Sequence, residues 1–183
     1  MSIDLPRGSG YTFLSQTVPA WAVTTSISGT PFPTTWAIKM TVPAGMSVSS
    51  AQVAIVRKPG AAGRVRSVFY AFPDEPGDWQ AFPVAASLWR EIPEPGAGWV
   101  ALKYPSSVPA RDQDWHGWVM LEFADLPELP HVILPVARPY TWDERHSGYD
   151  VYSSVDSATV PLPPYLDLSD LTPQMSIPMV GIS

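Results

Sequence analysis

The chain has 183 residues, 45% hydrophobic and only 15% charged, and its net charge of −6 argues against a nucleic-acid partner, whose phosphates demand a basic surface. It contains no cysteine, which excludes a disulfide framework, a thiolate zinc site and a thiol nucleophile. Its 22 prolines exclude long helices, since proline lacks the N–H and clashes with the preceding turn, while eight Trp, seven Tyr and six Phe supply enough apolar area to order a core.

Residues 1–30 carry scattered apolar side chains without clean periodicity and read as an N-terminal arm or a first strand. Met1–Gly10 shows no basic segment followed by an apolar one, and no apolar run approaches the roughly 20 residues that span a bilayer. The expectation is a protein made in a cytoplasm, with no membrane partner. Strict alternation begins at Thr35–Val42, where Trp36, Ile38, Met40 and Val42 share one face of a half-buried strand. Pro43-Ala44-Gly45 breaks it. Ser50–Arg57 reads as the next strand, with Ala51, Val53 and Ile55 on one face. A turn at Lys58–Gly63 leads to its hairpin partner, Arg64–Phe72.

Phe72–Phe82 reads as a loop. Val84–Ile92 fits either a strand or a short helix opened by Pro83. Gly98–Tyr104 is a strand, Pro105–Asp114 a loop, and Trp118–Phe123 a strand apolar on both faces apart from Glu122, hence central. Val132–Val136 is a short edge strand marked by Pro135, and Tyr149–Val155 is the last strand expected. Seven to eight short strands separated by turn signals predict an all-β fold, a β-sandwich or jelly roll over residues 31–156.

Residues 157–183 differ. Five prolines (Pro161, Pro163, Pro164, Pro173, Pro178) alternate with Leu162, Tyr165, Leu166, Leu168, Leu171, Met175, Ile177 and Met179. This stretch is too proline-rich for a helix and too apolar for a solvated linker, so an extended C-terminal arm lying on its own domain or on a neighbouring subunit is expected. The charge is concentrated near this end. Residues 1–140 hold 10 basic and 11 acidic side chains (−1), and residues 141–183 hold one basic and six acidic (−5).

Candidate chemistry is sparse. Asp112 and Asp114 beside His116, and Asp74 and Asp78 in a second acidic loop, are the candidate metal ligands, since loop carboxylates suit a hard cation. Solvated turns, in which Asp bonds its own backbone, account for the same residues, and no cofactor is expected. The three histidines sit in no catalytic motif, and no nucleophile elbow, phosphate loop or dinucleotide fingerprint occurs. Trp36, Trp89, Trp99 and Trp118 fall in predicted strands and read as core. Trp79, Trp115 and Trp142 fall beside polar loops, where an exposed ring stacks on sugars or anchors a protein interface.

A cysteine-free sandwich flanked by Thr24–Pro33 and the Pro161–Pro178 arm resembles the accessory structural proteins of tailed bacteriophage virions, of decoration, head-fibre or tail-tip type. The resemblance implies a non-enzymatic homo-oligomer located in the virion, partnered by a major capsid or tail protein and by itself. Residues 34–137 also resemble a carbohydrate-binding module of jelly-roll type. That likeness implies a receptor-binding role on a host-surface glycan, with Trp79 and Trp115 as the platform.

Overall fold

The computed structural model describes residues 13–14, 23–24, 34–57, 63–71, 81–92, 96–125, 132–133, 135–137, 151–154, 165–166, 171–173, 177–178 and 180–183. Among them every regular element is a strand. The main ones are β3 (Thr35–Val42), β4 (Val48–Arg57), β5 (Arg64–Ala71), β6 (Phe82–Ala86), β8 (Gly96–Val108) and β9 (Trp115–Ala124). Shorter strands are β1 (Phe13–Leu14), β2 (Val23–Thr24), β7 (Arg90–Glu91), β10 (Val132–Ile133), β11 (Pro135–Ala137) and β12 (Val151–Ser154). Three more lie near the C-terminus: β13 (Thr172–Pro173), β14 (Ile177–Pro178) and β15 (Val180–Ile182).

Two antiparallel sheets form a β-sandwich. One runs β13-β12-β3-β9-β5-β6, with β7 also paired to β5. The other runs β1-β15-β4, with β8 along the opposite edge of β4 and β10 beside its end. A small ribbon, β14-β11-β2, completes the pairing. Alternation along each strand fills the space between the sheets. Trp36, Ile38, Met40 and Val42 of β3, Val65 and Phe69 of β5, and Val119, Leu121 and Phe123 of β9 meet Ala51, Val53 and Ile55 of β4, Val100, Leu102 and Tyr104 of β8, and Val180 and Ile182 of β15. The other side of β4 is covered as well, since Gln52 and Ala54 are buried.

Phe69 sits near the middle of this core, edge-on to Trp115 (5.7 Å between centroids) and to Tyr104 (6.5 Å). Its ring lies over Gly117 of β9, where any Cβ would collide with it. The two sheets are also tied by a buried hydrogen bond between the Ser67 and Tyr104 hydroxyls, 2.7 Å apart. At the β3–β4 turn, Gly45 adopts φ +77° and the Met46 N–H bonds the Pro43 carbonyl, a backbone shape for which glycine is the low-cost residue.

The interior strands match the alternation in the sequence, and several boundaries move. Val84–Ile92 contains no helix. It forms β6 and β7, with Pro83 inside the edge strand β6. β8 runs on through the proposed loop as far as Val108, and β9 begins at Trp115 rather than Trp118.

The larger correction concerns the C-terminal end. Tyr149–Val155 contains β12, which is not the last strand. β13 pairs with β12, β14 with β11, and β15 inserts between β1 and β4 with Ile182 opposite Ala51. Val180 and Ile182 are fully buried, so these residues belong to the sandwich and not to an appendage. Burying two such side chains contributes roughly 3–6 kcal/mol, a large share of a domain's net stability. Removing residues 157–183 is therefore expected to unfold the domain rather than release an intact sandwich, and Ile182→Asp to abolish cooperative thermal unfolding seen by circular dichroism. A truncated chain with an unchanged melting transition would refute this.

Tyr104 makes a second prediction. Burial pushes its phenol well above the usual range, against a smaller opposing effect of the Ser67 hydrogen bond. A tyrosine in the unfolded chain ionises near pH 10. The stability linked to Tyr104 is thus complete below that pH and is lost as pH rises toward the folded value. Melting temperature should fall above about pH 10. Tyr104→Phe, which costs about 1–2 kcal/mol at neutral pH through the orphaned Ser67 hydroxyl, should flatten that fall.

Candidate functional site

The residues that the sequence marks as candidates do not converge. Trp115 is 7% exposed, packed edge-on to Phe69 and covered by the Arg111 guanidinium, 4.2 Å from its ring centroid. Its flat face is closed to a sugar, which overturns the expectation of an exposed platform at this position. The physical reason is that β9 starts at Trp115 and its register turns this ring inward. The Asp114 carboxylate accepts the Ala44 N–H at 2.8 Å and so braces the β3–β4 turn, while Asp112 is exposed. His116 Nδ1 lies 3.2 Å from the Thr41 hydroxyl on the exposed rim. Among the described residues no three His, Asp or Glu side chains gather into a possible metal cluster. Trp79, Trp142, Asp74 and Asp78 lie outside the described residues, as do Leu162, Leu168, Met175 and Met179.

The rest of the proposed arm is placed. Leu166 is buried, its N–H bonded to the Ala81 carbonyl at 2.8 Å, so that residues 165–166 extend the start of the β6 edge. Leu171 packs on the outward face of the β3-β9-β5 sheet, where Leu166 joins Ala37, Val68, Tyr70, Ala81, Trp118 and Met120 in a second apolar cluster. The β13 strand then pairs with β12 at the opposite edge. Described parts of this segment therefore lie on their own domain. Tyr165 is 38% exposed, and Ile177 pairs with Ala137 in the ribbon.

Polar groups on the same outward face form the most enclosed set of titratable side chains among the described residues. Register places Arg66 opposite Glu122, and Glu122 opposite Thr35. The Arg66 guanidinium bonds the Glu122 carboxylate, which is fully buried, while Arg66 is 12% exposed. Trp89 stacks on Arg66 at 4.7 Å and on Arg64 at 5.6 Å, and Arg64 bonds Asp125 at 2.5 Å. Tyr70, two register steps along, is buried beside this pair. Burial pushes its phenol well above the usual range, the Glu122 charge pushes the same way, and Arg66 opposes both. A carboxylate clamped by a guanidinium and sealed from solvent is poorly placed to take a substrate proton. This cluster orders the outer face.

What does face outward is a flank. Apart from the Ala81–Leu166 bridge, β6 pairs among the described residues with β5, and β8 with β4, so the other edges of both strands lie side by side on one flank of the sandwich. Along it stand the exposed large apolar side chains: Phe82 (40%), Val84 (49%), Leu88 (81%) and Tyr165 (38%). The register shift in the β5–β6 pairing displaces Val84 from the ladder. Ser87 holds the following turn, donating its N–H to the Ser67 carbonyl (2.8 Å) and accepting the Ser67 N–H on its hydroxyl (2.9 Å), so Leu88 projects from a fixed point. Arg90 reaches across to donate to the Ala101 carbonyl of β8 at 2.8 Å. Sequence reasoning missed this surface. Its available signal was Pro83, which marks an edge strand, followed by a stretch with no clean alternation.

No family model, curated protein or solved structure matches the chain. Among the described residues no helix is long and apolar enough to cross a membrane.

The ion pair supports a clear test. Arg66→Met strands a buried carboxylate and should cost about 3–5 kcal/mol, whereas Arg66→Met with Glu122→Met should recover most of that loss. Denaturant unfolding of the two variants measures both. A double variant as unstable as the single one would mean that the pair does more than neutralise itself.

Proposed function

We propose that this protein is a non-enzymatic structural subunit of a virus particle, made in the host cytoplasm and docked through the β6–β8 flank on the protein lattice of the capsid or tail, as part of a symmetric oligomer. The observation that carries the reading is the row Phe82, Val84, Leu88 and Tyr165 along the β6 flank, whose outer edge is bridged among the described residues only at Ala81–Leu166. An edge strand offers main-chain pairing, and protruding apolar side chains supply anchors for a partner's pockets. Large apolar side chains held rigidly in water mark such surfaces. The low charged fraction, 15%, suits a chain that covers part of its surface with protein. The enclosed titratable groups at Arg66, Glu122 and Tyr70 support a structural role over a catalytic one.

An antibody raised against the purified chain should label density-purified virus particles from the culture that encodes it. Leu88→Asp with Val84→Asp should lower the amount retained on those particles about tenfold, equivalent to about 1.4 kcal/mol, without changing the melting temperature. Particles that lack the chain altogether would sink the reading.

A further inference from the structure

The outward face of the β3-β9-β5 sheet is covered in part by a segment with few attachments. Among the described residues Leu166 meets the β6 edge through a single bridge, its N–H on the Ala81 carbonyl at 2.8 Å. The strands beneath are joined differently, with eight register positions between β3 and β9 and eight between β5 and β9. Tyr165 before the bridge is exposed, and Leu171 after it is half-buried. The next strand pairing along the described chain is β13, where Thr172 and Pro173 oppose Ser153 and Tyr152 of β12. A segment held by one bridge and a pair of apolar side chains opens far more readily than the ladders it lies on.

The face beneath has its own reason to open. Tyr70 belongs to the same apolar cluster as Leu166 and is fully buried, and its hydroxyl has no hydrogen-bond partner. A dry, unpaired phenol forfeits the water it would hold on an uncovered face. Closure therefore gains the burial of Leu166 and of part of Leu171, and loses the hydration of Tyr70, so its net gain is smaller than the two leucines alone would give.

Position gives such an opening a use. The bridge ends where the exposed apolar row begins: Phe82 follows Ala81 directly, Val84 and Leu88 continue the row, and Tyr165 stands in it. Lifting residues 165–171 frees the Ala81 carbonyl and joins that row to Ala37, Val68, Tyr70, Trp118 and Met120. A partner that buries the united surface binds the open form better and draws the balance toward it.

We propose that residues 165–171 form a strap that closes over this face in the free protein and swings out about β13 as the partner docks on the β6 flank. This rests on the assembly reading above and adds the contact that regulates it.

Two measurements on the full-length chain test it. In hydrogen exchange followed by NMR, the Leu166 amide should exchange about a hundredfold or more faster than that of Val119 in β9. Exchange of the two amides at one common rate, set by global unfolding, would overturn the strap. The chain has no cysteine, so Ala81→Cys with Leu166→Cys ties the strap shut on oxidation. Retention of that variant on density-purified virus particles should fall about tenfold when oxidised, a usual size for coupling between two sites, and return on reduction. Equal retention in both states would also overturn the strap. If the cysteine pair prevents refolding by circular dichroism, Leu166→Ala, which unseats the strap, should raise retention, and unchanged retention would be the contrary result. Wild-type chain absent from particles would remove the assembly reading and the docking step with it, whereas retention indifferent to the lock would remove the strap alone.

Discussion

The structure turns on a strand that is buried on both faces. In β9, Val119, Leu121 and Phe123 point into the sandwich while Trp118 and Met120 point away, and all five are at most 4% exposed. A sheet with one wet face would leave Trp118 and Met120 in water. This chain must cover its central sheet twice, and it does so with its C-terminal segment. Leu166 and Leu171 lie on the outward side, and fourteen and sixteen residues beyond Leu166 the same segment supplies Val180 and Ile182 to the inward one. The proline content of this segment is consistent with that task, because extended chain that crosses strands and borders edges does not need every N–H.

How legible this was depends on where the relevant information lies. The inward faces of β3 and β4 follow from strict alternation, and the two-sided apolar run at Trp118–Phe123 identifies a central strand from its own residues. The misreading of Trp115 has a local cause: Asp112, Asp114 and His116 surround it in sequence and give it the look of a loop residue, whereas its burial depends on register with β3 and on Arg111 folding over it. Strand β15 was unreadable for a different reason. Three residues carry no period, and the partner that makes them a strand, Ala51–Val53, lies far away in the chain. The exposed flank was equally hidden, because being an edge is a property of the topology and not of Phe82–Leu88 themselves.

Polar groups are arranged by the same economy. The described interior admits few, and several of them are answered from across the fold: Ser67 by Tyr104 and Ser87, Glu122 by Arg66, and Ser50 by Ser183, while the Gln52 Oε1, Tyr70 hydroxyl and Trp115 Nε1 atoms are buried without a hydrogen bond. Each of these links joins segments distant in sequence, so hydrogen bonding here selects one arrangement of strands among the many that a repetitive apolar pattern allows. With no covalent cross-link in the chain, uniqueness depends on such pairings together with close fits like that of Phe69 over Gly117.

The Arg90 contact has a consequence for behaviour at high concentration. By occupying the Ala101 carbonyl on the rim of the thirteen-residue strand β8, the guanidinium places a fixed positive charge at a point where a stray strand from another molecule would have to pair. Charged side chains on a rim are a common guard against runaway cross-β growth. The rim of β8 is thereby guarded at Ala101 against such pairing, whereas the neighbouring β6 rim presents Val84 and Leu88 to solvent with no such charge bonded to it among the described residues.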